Sequence, residues 1–314
     1  MNNQKKPKHF LDIADFTLQE LRSIVERAKF FKSNLILEQQ KQILPHKTLA
    51  MIFEKTSTRT RISFEVAINH LGGSAIVLNK ADTQLGKGET TADTSKVLSR
   101  MVDAVMIRCY NHQTLLDFAS SSNVSVINGL TDFSHPCQVV ASIMAIEEKL
   151  GDVANLTLTW FGDANNVLNS YIQASLIFNF TLQIAKPDSY GFCDAEIAKA
   201  KEKGAKIIVG EDAKSLAKNS DVLISDTWVS MGDISEGDVK AKQQRVSELQ
   251  SFQINQELLD LAKPNAIFTH CLPIYRGYEV TAEVADGAKS IIFDEAENRL
   301  HAQKAILEFC LKAH

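Results

Sequence analysis

Leu49-Ala-Met-Ile-Phe53 is an unbroken apolar run of the length of a buried strand, and Phe64, Ala67, Ile68 and Leu71 then recur at i, i+3, i+4 and i+7 up to Gly72-Gly73. The pattern predicts a strand that gives way to a helix. Between the two lies Lys55-Thr-Ser-Thr-Arg-Thr-Arg61, with Ser57 as a natural N-cap. Upstream, Leu21, Ile24, Val25 and Ala28 mark an amphipathic helix. Downstream, residues 75–78, 104–107 and 124–127 read as strands, and 94–101 and 115–119 as helices. Strands alternating with helices over short connections predict a parallel sheet covered by helices.

His135-Pro136 opens a further helix with proline at the favoured first position, running through Val140, Ile143, Met144 and Leu150 to Gly151. A second alternating series follows at 156–161, 207–209, 222–225, 266–269 and 291–293. The chain therefore reads as α/β with two domains, residues 1–150 and 151–294, each a mainly parallel sheet flanked by helices. From Glu295 onward, Ala296, Leu300, Leu307 and Cys310 fall in one helical stripe. Two polar stretches, 79–91 and 226–250, read as long loops, and the part of the second from 230 to 250 is expected to close over a bound ligand.

Composition narrows the class. The net charge of -4 argues against a general nucleic-acid binder, and 45% hydrophobic with 23% charged residues is a globular balance. No apolar run approaches membrane-spanning length, and MNNQKKPKHF lacks the apolar core of a signal peptide, so a cytoplasmic location is expected. The five cysteines show neither C-x-x-C nor zinc-ligand spacing and read as free thiols.

The stretch around Ser57 is a candidate anion site, because helix N-terminal amides, hydroxyls and the Arg59 fork suit a phosphate. Ligands in open parallel sheets bind beyond the carboxyl ends of the strands. Those positions hold Ser57, Thr58, Arg59 and Thr60, then Arg108, then His135 and Gln138. Together they suit a phosphate and a polarised carbonyl. In the second series they hold Gly162 to Asn166, Asp226 with Ser230-Met231-Gly232, and His270-Cys-Leu-Pro273, a set suited to an ammonium and a carboxylate. No dinucleotide fingerprint, P-loop, nucleophile elbow or metal box is present, so neither cofactor nor metal is expected.

Phe53-Glu-Lys-Thr-Ser-Thr-Arg-Thr-Arg61, His135-Pro-Cys-Gln138, Asp226-Thr-Trp-Val-Ser-Met-Gly232, His270-Cys-Leu-Pro273 and Phe293-Asp-Glu-Ala-Glu-Asn-Arg299 stand in the order and spacing of the aspartate/ornithine carbamoyltransferase family. The resemblance runs essentially end to end and favours the ornithine-using branch. It implies transfer of a carbamoyl group from carbamoyl phosphate to the δ-amine of L-ornithine, giving L-citrulline, with acetylornithine or putrescine as alternative amines. It further implies that Ser57, Thr58, Arg59, Thr60, Gln84, Arg108, His135, Gln138, Cys271, Leu272 and Arg299 bind carbamoyl phosphate. Asn166, Asp226, Ser230 and Met231 would bind ornithine.

The C-terminal helix, 295–314, would pack back on the first domain, and the assembly would be a homotrimer or a multiple of trimers with Gln84 reaching a neighbouring subunit. Arg108, His135, Asp226 and Cys271 would carry the chemistry, Asp226 and Cys271 accepting the amine's proton. A covalent role for Cys271 is disfavoured, because the sequence offers no histidine–carboxylate arrangement beyond the adjacent His270. Thr56, Ala164 and Ile274 to Tyr278 depart from the family pattern, Tyr278 standing where relatives carry a glutamate. A two-lobed amino-acid binding protein and a nucleotide-dependent oxidoreductase are the remaining readings.

Overall fold

The computed structural model describes residues 6–34, 42–79, 88–229 and 238–312. They form two compact units, one of residues 1–144 with 297–314, the other of residues 145–296.

The first unit begins with α1 (Leu18–Ser33), capped reciprocally by Thr17 and Glu20, with Leu21, Ile24, Val25, Ala28 and Phe31 on its buried face. Its sheet holds β1 (Thr48–Phe53), β2 (Ser74–Asn79), β3 (Ala104–Arg108) and β4 (Ser125–Leu130) in the order β2-β1-β3-β4, every pairing parallel. Between the strands run α2 (Thr58–His70), α3 (Thr91–Leu98) and α4 (His112–Ser120), and α5 (Pro136–Leu150) leaves the sheet after β4. Ala50, Ile52, Val105, Ile107, Leu115, Phe118 and Val126 form a core between sheet and helices.

The second unit carries β5 (Thr157–Phe161), α6 (Asn166–Phe178), β6 (Thr181–Ala185), α7 (Asp194–Glu202), β7 (Ile207–Gly210), α8 (Ala213–Ala217) and β8 (Val222–Ser225). After these come α9 (Val239–Leu249), α10 (Gln256–Leu261), β9 (Ile267–His270) and α11 (Ala282–Ala285). The sheet is again parallel, in the order β7-β6-β5-β8-β9. Its core gathers Phe161, Leu223, Trp228, Phe252, Leu258 and Phe268.

The last helix, α12 (Ile292–Lys312), packs back on the first unit through its later turns. Glu308 accepts a two-nitrogen fork from Arg27, at 2.6 and 3.2 Å, and Ser125 Oγ donates to the carbonyl of Cys310 at 3.1 Å.

Several expectations change. Of residues 291–293, expected as a strand, 292 and 293 open α12 and Ile291 precedes it; a short apolar run fits a first helical turn as well as a strand, and Ser290 makes a bridge to Phe268. Strand β6 and helices α6 and α7 were not expected. The helix expected at 94–101 starts and stops three residues earlier, at its Thr90 cap. Within the stretch expected as a loop, 226–250, Val239–Leu249 is helical and is capped by Asp238.

Candidate active site

In each unit the strand order reverses beside the first strand, and at such a switch point the loops leaving neighbouring strands part and open a crevice. In the first unit that point lies between β1 and β3. The segment after β1 holds Ser57, which accepts the amide of Thr60 at 3.2 Å and starts α2. Thr58 is exposed, Ser57 and Arg59 are half-buried, and Thr60 is fully buried. Arg108, the final residue of β3, points Nη1 at Thr60 Oγ1 from 3.4 Å, and Arg299 of α12 donates from Nη2 to the same oxygen at 2.9 Å. Two guanidiniums thus use the hydroxyl's lone pairs, leaving its proton for an outside acceptor.

His135 and Gln138, at the start of α5, are 3% and 1% exposed. Burial holds the His135 imidazole well below its ordinary pKa, and the charges of Arg299, Arg108 and Arg59 push the same way. His135 is therefore a neutral donor at physiological pH. Gathered in this unit are Ser57, Arg59, Thr60, Arg108, His135 and Arg299.

Lys55, grouped with the anion site in the sequence reading, is committed elsewhere. Its ammonium pairs with Asp132 and lies 4.2 Å from the centre of the Tyr110 ring. Arg61 lies on the helix surface, 3.6 Å from Glu65.

The second unit's switch point lies between β5 and β8. Gly162, in the turn leaving β5, has φ +100, and a Cβ there would fall 2.3 Å from Nε1 of Trp228, so only glycine lets Trp228 pack beneath the turn. Asn165 then caps α6, accepting the amides of Val167 and Leu168, while its Nδ2 donates to Asp226 Oδ2 at 2.7 Å. The other carboxylate oxygen of Asp226 accepts the Thr227 amide at 2.8 Å and Cys271 Sγ at 2.9 Å. Asn166, the first residue of α6, is half-buried beside this group. Asp163 of the same turn is buried and meets Arg245 of α9 at 2.5 Å.

Beyond β9, His270 Nδ1 accepts the amide of Leu272 at 2.9 Å, which holds Leu272 at φ +58. With Nδ1 an acceptor, the imidazole proton resides on Nε2, which lies 3.4 Å from Glu279 Oε1; both side chains are fully buried. The expectation that no carboxylate supports His270 is corrected by Glu279, six residues beyond Pro273 in sequence and adjacent to Tyr278. Nδ1 of His270 is nevertheless taken by the Leu272 amide, so that nitrogen does not supply a base for a thiolate nucleophile.

Cys271 is half-buried, while the other four cysteines are buried, and burial pushes Cys109, Cys137 and Cys193 up to about 12. Asp226, His270 and Cys271 offer ligand atoms within 4.8 Å of one another, the one such trio among the described residues. Gln84, Ser230 and Met231 lie outside the described residues. Sequence reasoning included Asn165 in the Gly162 to Asn166 set but not its bond to Asp226, and it missed Glu279, whose role depends on a turn that returns it to His270.

Comparison with known proteins agrees with this geometry. Residues 8–148 match the family model described as the aspartate/ornithine carbamoyltransferase carbamoyl-P binding domain, and residues 154–310 match its Asp/Orn binding domain. The second match includes most of α12, whose later turns pack in the first unit. The chain is 49% identical over 309 residues to an ornithine carbamoyltransferase of Bradyrhizobium diazoefficiens, covering 98% of this chain and 99% of the relative. The solved ornithine carbamoyltransferase of Pyrococcus furiosus is 42% identical with a TM-score of 0.90, covering 98% of each chain. The anabolic ornithine carbamoyltransferase of Campylobacter jejuni is 40% identical with a TM-score of 0.87, covering 98% of this chain and 100% of that one. The chain belongs to the aspartate/ornithine carbamoyltransferase family.

Proposed function

We infer that the protein transfers the carbamoyl group of carbamoyl phosphate to the δ-amine of L-ornithine, giving L-citrulline and phosphate. The observation that carries this reading is the convergence of Arg108 and Arg299 on Thr60 beside neutral His135. That set provides fixed cations for a phosphate and two hydrogen-bond donors, Thr60 and His135, for a carbonyl oxygen that becomes an oxyanion. Ser57, Thr58 and Arg59 join it on the phosphate, and Gln138 on the carbamoyl amide. Residues 1–150 with helix 295–314 form the carbamoyl phosphate domain, and residues 151–294 the ornithine domain.

Ornithine is bound by Asn166, Asp226, Ser230 and Met231. A primary amine with a pKa near 10.4 is mostly protonated at neutral pH, so its nucleophilic form requires removal of a proton. Asp226 and Cys271, 2.9 Å apart, are the pair that accepts it. Asp226 also disfavours an acidic substrate, since its charge repels a second carboxylate. Leu272 joins Cys271 on the carbamoyl group.

The reaction uses no cofactor. Its forward direction serves arginine biosynthesis, and its reverse would serve arginine catabolism. The protein works in the cytoplasm, consistent with its free cysteines and with no described helix being long and apolar enough to cross a membrane. It acts as a homotrimer or a multiple of trimers, Gln84 reaching a neighbouring subunit. In keeping with this, β2 is an edge strand with no fully buried residue, and Ile62, Ile76, Val97 and Met101 of the same unit present apolar surface.

Incubation with carbamoyl phosphate and, separately, L-ornithine, N-acetylornithine, putrescine and L-aspartate tests the assignment. Citrulline from ornithine, with little product from the others, is expected. A faster reaction with any of the other three contradicts it.

A further inference from the structure

Between β4 and α5 the chain makes a short turn, Thr131 to Ser134, that delivers His135. The turn is organised around one hydroxyl. Thr131 Oγ1 accepts the amides of Phe133 at 3.3 Å and Ser134 at 3.2 Å, while the Thr131 amide donates to the Ser134 carbonyl at 3.0 Å. With both lone pairs used, the hydroxyl proton has one remaining direction. His112 Nδ1 stands there at 2.9 Å, at the start of α4. An accepting Nδ1 places the ring proton on Nε2, which faces Asp12 Oδ2 at 3.4 Å. Burial lowers the His112 pKa and keeps the ring in this neutral form.

Carboxylate, imidazole and hydroxyl thus stand in the order found in nucleophilic triads, but Thr131 is fully buried and its oxygen is committed to two amides. No acyl group reaches it. What the relay fixes is the turn. Two further ties hold the same segment: Asn128 Nδ2 bridges the carbonyl of Leu11 and Ser134 Oγ, and Asp132 pairs with Lys55 while its amide donates to the Tyr110 carbonyl at 2.9 Å. Lys55 belongs to the segment bearing Ser57 to Thr60, and Tyr110 follows Arg108. The turn is therefore tied to the segments that present the other carbamoyl phosphate groups.

We propose that Thr131, oriented by the His112–Asp12 pair, is a positioning residue for carbamoyl transfer: it sets the turn that aims His135. The proposal rests on the activity inferred above. Misplacing a group by about 1 Å can lower the rate by roughly a hundredfold, so small movements of this turn matter.

The test compares Thr131→Val, Thr131→Ser and His112→Phe with the wild-type chain by kcat, by KM for each substrate and by thermal midpoint. Valine keeps the shape and removes the hydroxyl, and phenylalanine keeps a ring against Phe133, whose centroid lies 4.9 Å from the imidazole, without an acceptor. We expect Thr131→Val to lower kcat by about tenfold to a hundredfold and raise KM for carbamoyl phosphate, with KM for ornithine near wild type. Thr131→Ser should recover most of the rate, and His112→Phe should move in the same direction as valine. A Thr131→Val protein with wild-type kinetics, whatever its thermal midpoint, overturns the proposal, as does serine as impaired as valine. If the valine variant does not fold, His112→Phe decides: a selective loss toward carbamoyl phosphate supports the proposal and wild-type kinetics overturn it. The wild-type rate of citrulline formation reports on the activity itself and the variant-to-wild-type ratio on the turn, so the two fail separately.

Discussion

Arg299 donates from Nη2 to Oγ1 of Thr60 at 2.9 Å, across 239 positions of sequence. This bond brings the last helix to the start of α2, and with Arg108 it orients the Thr60 proton outward. Thr60→Val should therefore lower kcat by about 10²–10³-fold, the usual loss of an oxyanion donor, while Thr60→Ser retains most of the rate. Steady-state citrulline formation measures both. Equal loss in the two variants would show that the hydroxyl is not what matters.

Asp226 has hydrogen-bonding neighbours on both carboxylate oxygens, yet it is the acid that faces the amine in the proposed reaction. Asp226→Asn keeps the shape and removes the charge. Its kcat/KM for ornithine should fall by roughly 10²-fold or more, with carbamoyl phosphate binding retained in calorimetry. An unchanged ornithine profile would remove Asp226 from the mechanism.

Cys271 donates to Asp226, while His270 Nδ1 accepts the Leu272 amide, so Cys271 relays or positions rather than attacks. Cys271→Ser should turn over more slowly than wild type, with no carbamoylated enzyme in rapid-quench mass spectrometry of either protein. A carbamoyl adduct on Cys271 would contradict this role.

Several histidines are held below their ordinary pKa in the fold, His135 and His301 among them, and they make stability depend on pH. Burial and neighbouring cations hold His135 well below its ordinary value, and burial with Lys304, Lys32 and His70 lowers His301 from 6.5 to about 4. Each binds fewer protons folded than unfolded. Their contribution is complete above 6.5 and is lost as pH falls below it, down to about 4 for His301. The thermal midpoint should decline over that window, and His301→Asn should make the decline shallower. A decline of unchanged steepness in the variant would exclude His301 as a source.

The elements around Ser57 were legible because one apolar run and one clean 3.6-residue pattern flank a cap. The residues at strand ends were legible because parallel sheets place ligands there. Strand β6 was hidden because polar Gln183 interrupts it, and only in the fold does its side chain accept the Thr159 hydroxyl at 3.1 Å. The start of α12 was misread because its apolar residues fit a strand equally well. Asn165 with Asp226, His270 with Glu279, and Thr131 with His112 and Asp12 are pairings made by turns and sheet order. No local periodicity encodes them. The motif residues were thus readable as a set, but the neighbours that orient them were not.

The most direct measurement follows carbonyl-labelled carbamoyl phosphate in the presence of L-ornithine, with label and released phosphate counted for the wild-type chain and for Asp226→Asn. The account predicts that the wild type puts the label into citrulline, matched by an equal amount of phosphate, and that the variant does so far more slowly. Label recovered only as hydrolysed carbamate, or transferred equally fast by the variant, would contradict it.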